Sequence, residues 1–385
     1  MRAPTARDAA GGLRIDLVEA SASLGDLGTF LPLAVGLVVI NGLDPVATFG
    51  VAGLVFIISG LFYRVPVPVQ PMKAAAAIAI ATHASPATIA AASILLGAVT
   101  LLLAATRAVD LVIRLFSKPV IRGLQLGVGL LLILSSLTFI EPAAGSALVP
   151  TMVAAGLVLV LLASEGRRVP VALIAVLGAV VWSLSQGGHV PVPSPRLPYL
   201  HLPSTRLFWG AFTALVLPQI PLTLGNAVAS TASLEREYYA DAAKRVTPSR
   251  LCLTGGVANL IAGVLGGMPL CHGSGGLSAY RRLGARTGGC NLFIGSCLLG
   301  AGAIFGRSAV PLFALIPGAV LGGLLAYTGL RHALLVRDLR GWPLAVALLM
   351  GAVGAATHDL AISMAFGIIL TGLIAIVRSR RRVAT

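Results

Sequence analysis

The sequence contains 385 residues, of which 57% are hydrophobic and only 11% are charged, and its mean hydropathy is +0.95. A soluble domain carries about 25% charged residues, so this composition excludes a soluble globular protein and indicates a chain embedded in a lipid bilayer. The net charge of +15 does not indicate nucleic-acid binding, because the basic residues lie in short loops between apolar runs, where they act as a topology signal.

Apolar runs follow one another from about residue 15 to residue 377. They predict an all-α polytopic membrane protein with about fourteen transmembrane segments, arranged as seven plus seven around a proline-rich loop at residues 187–203. Because 45 glycines blur the boundaries, about twelve segments are an alternative. The predicted segments are 15–40, 45–63, 66–82, 86–105, 120–140, 147–164, 169–186, 206–232, 250–267, 268–283, 288–305, 311–328, 342–357 and 360–377.

Lys and Arg concentrate in the loops after every second segment and in the tail, whereas the opposite loops are nearly free of them. Basic loops stay on the cytoplasmic side, so both termini are predicted to be cytoplasmic. The basic, Ala/Gly-rich composition favours a bacterial inner membrane. The basic clusters are Arg107, Arg114, Lys118 and Arg122; Arg167 and Arg168; Arg236, Lys244, Arg245 and Arg250; Arg281, Arg282 and Arg286; Arg331, Arg337 and Arg340; and Arg378, Arg380, Arg381 and Arg382.

The two halves of the chain resemble each other. The run Ile58–Pro66 aligns without gaps with Ile261–Pro269, and Leu31–Gly36 aligns with Ile220–Gly225. An odd number of predicted segments separates the matching parts, so the two repeats are predicted to be inverted in the membrane. Inverted repeats that contain interrupted helices indicate a transporter with its binding site at those interruptions.

The third and the tenth segments are predicted to be broken. Pro66 and Pro68 cannot lie inside a helix, so residues 65–70 are expected to be extended, with Pro71 opening a helix over residues 72–82. This helix would be roughly 18 Å long, little more than half the hydrocarbon thickness. By the same reasoning residues 267–272 are extended and a second half-helix begins near Gly273. Both helix starts would then meet near the membrane midplane.

A helix start offers unpaired N–H groups and partial positive charge, which makes it an anion site. Gly273, Gly275 and Gly276 would let the backbone approach a ligand, and Ser274 can donate a hydrogen bond. Two further residues come from the first broken segment, Gln70 as a donor and Lys73 as a cation. In the alternative interpretation, Lys73 pairs with Asp26, and the glycines serve only helix packing.

Other polar residues interrupt apolar runs. Asp26 lies deep in the first segment and is a candidate for coupling a proton or cation to transport. Gln219 is predicted to line the site, while Asn226 fits a helix–helix hydrogen bond equally well. His272 either binds the anion or has a structural role. Glu235 and its neighbour Glu237 are expected in a solvated cytoplasmic loop.

These stretches together resemble the molybdate transporter family that is related to the sulfate permeases. The two broken-segment motifs are specific, and the resemblance covers most of the chain. The matching residues are Gly25–Leu33, Pro68–Ala74, Pro218–Leu224 and Met268–Gly276, followed by Tyr280-Arg281 and Leu283–Arg286.

The resemblance implies the fold of sulfate and uracil permeases, with two inverted repeats of seven segments and a core domain that moves against a gate domain. The core would comprise residues 13–106 and 204–306, and the gate residues 107–203 and 307–385. It also implies an oxyanion as cargo, carried at Gln70, Lys73, His272, Gly273 and Ser274. The chain ends soon after its last apolar run, without room for the C-terminal domain of typical sulfate permeases, which favours molybdate.

The sequence therefore predicts a secondary transporter of molybdate that works by alternating access. A dianion entering a negative-inside cell is opposed by about 4.6 kcal/mol per 100 mV, so a proton or cation is expected to be coupled. A sulfate transporter of the same fold is the alternative, ahead of an anion channel, a nucleobase permease or a membrane-embedded enzyme. A homodimer is left open.

No catalytic role, cofactor or metal is predicted. The sequence has no Gly-x-x-x-x-Gly-Lys-Ser/Thr phosphate loop. The six histidines are scattered, and the four cysteines lack metal-type spacing, so they are expected to be buried free thiols.

Overall fold

The structure is a computed structural model that describes residues 13–109, 111, 117–140, 147–164 and 171–383. The side chains of Asp26, Arg307 and residues 377–383 lie outside this description. Three basic loop residues, Arg114, Arg167 and Arg168, also lie outside it, as do the side chains of the tail arginines.

The described chain is almost entirely helical, with one short antiparallel pair of strands, β1 (Gln70–Pro71) and β2 (Leu270–Cys271). The long helix α9 contains two π-helical stretches, Phe212–Val216 and Thr223–Ser230. The helices are α1 (Leu17–Ser23), α2 (Leu27–Val39), α3 (Pro45–Tyr63), α4 (Lys73–Ala81), α5 (Pro86–Thr106), α6 (Lys118–Ser136), α7 (Leu148–Ala163), α8 (Val171–Ser185), α9 (Leu207–Arg245), α10 (Pro248–Leu265), α11 (Ser274–Leu283), α12 (Gly289–Phe305), α13 (Ala309–Phe313), α14 (Gly318–Ala333), α15 (Trp342–Thr357) and α16 (Leu360–Val383).

Three of these helices begin with the same local signal, a capping side chain followed by proline. Asp44 accepts a hydrogen bond from the Val46 amide before α3, Ser85 accepts one from Thr88 before α5, and Thr247 caps α10. The proline at the first helical position sacrifices no hydrogen bond, since that N–H has no partner within the helix. The sequence therefore fixes these helix starts locally.

Six of the described helices are long and apolar enough to cross a membrane: α3, α5, α6, α9, α10 and α14, the last counted together with the 3₁₀ stretch Leu334–Asp338 that continues it. The pair α1 and α2, bent by 49°, would add a seventh. Shorter apolar helices, including α7, α8, α12, α15 and most of α16, occupy the other predicted segments. The chain is thus a helical membrane protein, and the count of fourteen spanning segments stays a prediction.

The helices pack in two groups. In the first, α3 packs along α12 and α5 along α10; in the second, α6 packs against both α14 and α15. Glycines allow close approach within both groups. A Cβ added to Gly53 of α3 would lie 2.6 Å from the carbonyl oxygen of Gly295 on α12, and one added to Gly129 of α6 would lie 2.6 Å from that of Gly329 on α14. Glycines at these positions let the backbones of two membrane helices approach closely, and the helices then associate through backbone contacts.

Two sequence predictions about polar side chains are wrong in part. Glu235, expected in a solvated loop, is fully buried at 0% exposure, whereas its neighbour Glu237 is exposed as predicted. Cys297 is exposed, although the other three cysteines are buried free thiols as expected. In both cases burial depends on the face of the helix from which the side chain projects. The assignment of the residue to a loop or to a membrane-spanning segment does not determine it.

Candidate functional site

The two extended segments pair with each other. Gln70 lies opposite Cys271 and Pro71 opposite Leu270 in an antiparallel register, and the Met72 amide donates to the Pro269 carbonyl over 2.9 Å. This pairing holds the starts of α4 and α11 side by side, although about 200 residues separate them in the chain.

Two buried asparagines hold the extended segments in place. Asn291 of α12 accepts from the Val67 amide over 3.1 Å and donates to the Val67 carbonyl over 2.5 Å. Asn259 of α10 does the same for Leu270, with both contacts at 2.8 Å. Each side chain thus replaces the hydrogen bonds that the backbone loses where it leaves the helix, and both asparagines are fully buried.

We expect Asn291→Leu to destabilise the protein strongly. The substitution leaves the buried N–H and C=O of Val67 without partners, and each orphaned group costs about 1–3 kcal/mol. Thermal unfolding of the purified protein in detergent measures the loss. Cys297→Ala, at an exposed position of the same helix, is the control and should unfold like the wild type. Equal stability of Asn291→Leu and the control would contradict the anchoring role.

The start of α4 is capped by a side chain of α9. Gln219 accepts hydrogen bonds from the amides of Ala74 and Ala75, over 2.9 and 3.1 Å, and donates to Thr223 over 3.0 Å. It is buried and is not among the described residues that line the cavity introduced below. Two first-turn donors of α4 are therefore used within the protein, and Gln219 acts as a helix cap.

The predicted cation faces the start of the second short helix. Lys73 Nζ donates to Gln70 Oε1 over 2.8 Å, and the two side chains are only 7% and 1% exposed. A Cβ added to Gly273 would lie 1.9 Å from that same oxygen and 3.4 Å from Lys73 Nζ. A larger residue at this position would have to displace the Gln70 amide, because the Gly273 backbone lies directly against the Gln70–Lys73 pair.

The start of α11 is open, unlike that of α4. Its N-cap residue Gly273 supplies no side-chain hydrogen bond, and no heavy atom lies within 4 Å of a Cβ added to Gly275. Ser274 donates its hydroxyl to Asn226 Oδ1 over 2.5 Å. The first turn of this ten-residue helix therefore combines its dipole with space for a ligand.

A cavity of about 370 Å³ lies over this helix start. Its inner end holds Gln70, Lys73, Ser274 and Gly275, and its wall includes Gly25, Gly28 and Thr29 of the first bent segment, together with Asn226. Arg282 and Arg331 line its other end and are exposed. The described lining residues include three cations and no acid, so the cavity favours an anion.

His272 does not reach this cavity. Its Nδ1 is 3.0 Å from the Pro68 carbonyl oxygen and its Nε2 is 2.9 Å from Thr254 Oγ1, so both ring nitrogens have protein partners. The ring packs edge-on against Tyr63 and is almost completely buried. This geometry gives His272 a structural role in joining the first extended segment to α10.

The coupling candidate Asp26 ends a short 3₁₀ turn between α1 and α2, and its side chain lies outside the described part of the structure. The turn itself brings Gly25 and Gly28 to the cavity wall. Among the described residues, no group of three or more His, Cys, Asp or Glu side chains is arranged to hold a metal ion.

Several cavity residues were missed or assigned elsewhere by the sequence analysis. They are polar or basic residues of α6, α11 and α14: Gln125, Arg282, Thr328, Arg331 and His332. A polar residue inside an apolar run was the available signal for Gln125 and Thr328. The rotation of each helix, which spacing alone does not give, decides whether such a residue faces the cavity.

The sequence matches the model of the family described as "Molybdate transporter of MFS superfamily" over residues 18–132 and 211–331. The chain belongs to this family. Molybdate transporter 2 of Arabidopsis thaliana is 30% identical over 83% of this chain and 79% of its own length. Molybdate transporter 1 of Chlamydomonas reinhardtii is 30% identical over 84% of each chain. These relatives are plant and algal proteins and give no support to the prediction of a bacterial inner membrane.

Solved structures show the fold of this family member. The transmembrane domain of the cyanobacterial bicarbonate transporter BicA superimposes with a TM-score of 0.67 at 17% identity, covering 91% of this chain and 96% of that domain. Murine Slc26a9, an anion transporter solved in the inward-facing state, superimposes with a TM-score of 0.65 at 14% identity over 94% of this chain and 68% of its own. The molybdate transporter family member thus has the fold of these membrane transporters.

Proposed function

We propose that the protein is a secondary active transporter of an oxyanion and that its cargo is molybdate. The cavity carries the proposal, because its inner end combines the Lys73 ammonium with the open start of α11 and its described lining contains no acid. A tetrahedral dianion needs several converging donors and positive charge, which this arrangement offers. Molybdate is chosen because the similar proteins of Arabidopsis and Chlamydomonas are named as molybdate transporters.

In this proposal the anion contacts Lys73, Gln70 and the first turn of α11 at Gly273, Ser274 and Gly275. Lys73 lies in the first turn of α4, where a cation opposes the helix dipole, and it is nearly buried. A bound dianion would offset both costs. Gln219 and His272 would act indirectly, by capping α4 and by fixing the extended segment.

The transport cycle is proposed to be alternating access within two inverted repeats of seven segments, with α4 and α11 as half-helices that meet at the midplane. The core is assigned to residues 13–106 and 204–306 and the gate to 107–203 and 307–385. The two packing groups of helices support this division. The cavity is lined by Lys73 and Ser274 of the proposed core and by Gln125 and Thr328 of the proposed gate. The exposed Arg282 and Arg331 would mark its cytoplasmic mouth.

Energetic coupling to a proton or cation is part of the proposal, since the membrane potential opposes uptake of a dianion. Asp26 was the sequence candidate for this role and is kept as one. A homodimer would be compatible with the cycle described, because each chain contains its own cavity.

Uptake of radiolabelled molybdate into proteoliposomes that contain the purified protein tests the proposal, with sulfate in large excess as competitor. We expect saturable uptake that survives the sulfate and exchanges with unlabelled molybdate. Uptake abolished by sulfate would keep the transporter and make sulfate its cargo. A flux that neither saturates nor exchanges would indicate a channel, and no flux at all would overturn the proposal.

A further inference from the structure

Glu235 is a buried acid that the site described above does not use. Its side chain is 0% exposed, and both carboxyl oxygens are buried without a hydrogen-bond partner among the described residues. It lies on α9, one turn after Thr231, whose hydroxyl donates to the His272 carbonyl over 2.9 Å. The chain thus holds an acid in the interior at the point where α9 meets the second extended segment.

Among the described residues, none donates a hydrogen bond to this carboxyl. On the packed helix α11, the Arg281 guanidinium lies over the Tyr239 ring, 5.5 Å from its centroid, and on α10 Arg250 acts electrostatically on Tyr63. Glu19 of α1 acts electrostatically on Tyr239 and Cys290, and its effect there has the sign of a negative charge. Glu235 itself acts electrostatically on two phenols and one thiol of the described residues: Tyr63 of α3, Tyr239 of α9 and Cys290 of α12.

A carboxylate in these surroundings would be costly. An ionised group without donors or a counter-ion loses its hydration, and the penalty in a protein interior is several kcal/mol. The neutral acid avoids most of this penalty. The burial of Glu235 therefore implies that its carboxyl holds a proton in the conformation described here.

The same helix connects this carboxyl to the cavity. Asn226, which accepts the Ser274 hydroxyl at the cavity, lies in the π-helical stretch Thr223–Ser230, nine residues before Glu235 and roughly 13 Å away along the helix. π-helical stretches are rare and are frequent at functional sites. A shift of α9 against α11 would therefore change both the cavity and the surroundings of Glu235.

We propose that Glu235 is a proton-binding site of the transport cycle, an inference that rests on the proposed function. The carboxyl is protonated in the described conformation, in which this part of α9 packs against α11 and the Tyr239 hydroxyl donates to the Ala285 carbonyl. When α9 separates from α11, water reaches the group, its O–H bond breaks and the proton passes to water; the return movement requires a proton to bind again. One proton bound in each cycle would cancel one of the two charges of the dianion.

The variant Glu235→Gln tests this proposal in proteoliposomes, because the amide has the same shape and is permanently neutral. We expect it to keep the exchange of labelled for unlabelled molybdate at equal pH on both sides. We expect it to lose the accumulation that an inward proton gradient drives, down to the equilibrium distribution. Glu237→Gln removes an exposed acid two residues away on the same helix and should accumulate molybdate like the wild type.

Accumulation by Glu235→Gln that follows the proton gradient as in the wild type would overturn the inference while leaving the transporter intact. A wild-type protein that moves no molybdate would instead overturn the proposed function. An infrared measurement covers the case of a variant that does not fold well enough to exchange. The carbonyl band of a protonated carboxyl should be present at neutral pH in the wild type and in Glu237→Gln, and reduced in Glu235→Gln; an unchanged band would also overturn the inference.

Discussion

Replacement of Lys73 by glutamine is expected to weaken molybdate transport about 10- to 100-fold, seen as a raised KM for uptake. A hydrogen bond to a charged group contributes about 1.5–3 kcal/mol, and each 1.4 kcal/mol is about tenfold in affinity. Lys73 is the cation at the closed end of the cavity, only 7% exposed, so water cannot take its place easily. Initial rates of radiolabelled molybdate uptake over a range of concentrations measure the effect.

The same substitution should not destabilise the fold. Lys73 is a buried cation in the first turn of α4, and glutamine removes the unfavourable interaction with the helix dipole as well as the cost of burying the charge. Lys244→Gln is the matched control, because that lysine is exposed and pairs with the equally exposed Asp241 over 3.2 Å. Unchanged KM in Lys73→Gln, or an equal loss in both variants, would contradict an anion site at Lys73.

Much of the local architecture follows from sequence rules. Pro66 and Pro68 specify an extended segment, and Gly273 marks the start of α11. Pro71 was predicted to open the first half-helix, but it lies in β1, and α4 begins two residues later at Lys73. These rules do not identify the hydrogen-bond partners of the backbone groups in the extended segments. The asparagines that hold Val67 and Leu270 come from α12 and α10, and a polar residue in an apolar run does not reveal which backbone it will meet.

The candidate site was predictable to a similar extent. Gln70, Lys73, Ser274 and Gly275 line the cavity because they flank the interruptions that sequence analysis can find. Gln219 was predicted as a ligand from its residue type, but it caps a helix whose amides lie 145 residues away in the chain. Such a long-range contact depends on the tertiary packing of α9 against α4, on which local spacing carries no information.

Replacement of Gly273 by alanine is expected to abolish transport. The new Cβ would lie 1.9 Å from Gln70 Oε1, which is closer than any real contact, and 3.4 Å from Lys73 Nζ. The Gln70 side chain would have to move, breaking its 2.8 Å hydrogen bond with Lys73, or the two strands β1 and β2 would have to separate. Either change displaces the cation from the start of α11. Molybdate uptake in proteoliposomes measures the outcome.

The control for this variant has to separate a local clash from a general cost of adding a methyl group to a helix. Gly300→Ala serves this purpose, since no heavy atom lies within 4 Å of the added Cβ on α12, and alanine is a better helix former than glycine. It should transport like the wild type and be at least as stable. Normal transport by Gly273→Ala would mean that the Gln70–Lys73 pair can be moved without consequence, and the anion site could not then depend on their contact with the start of α11.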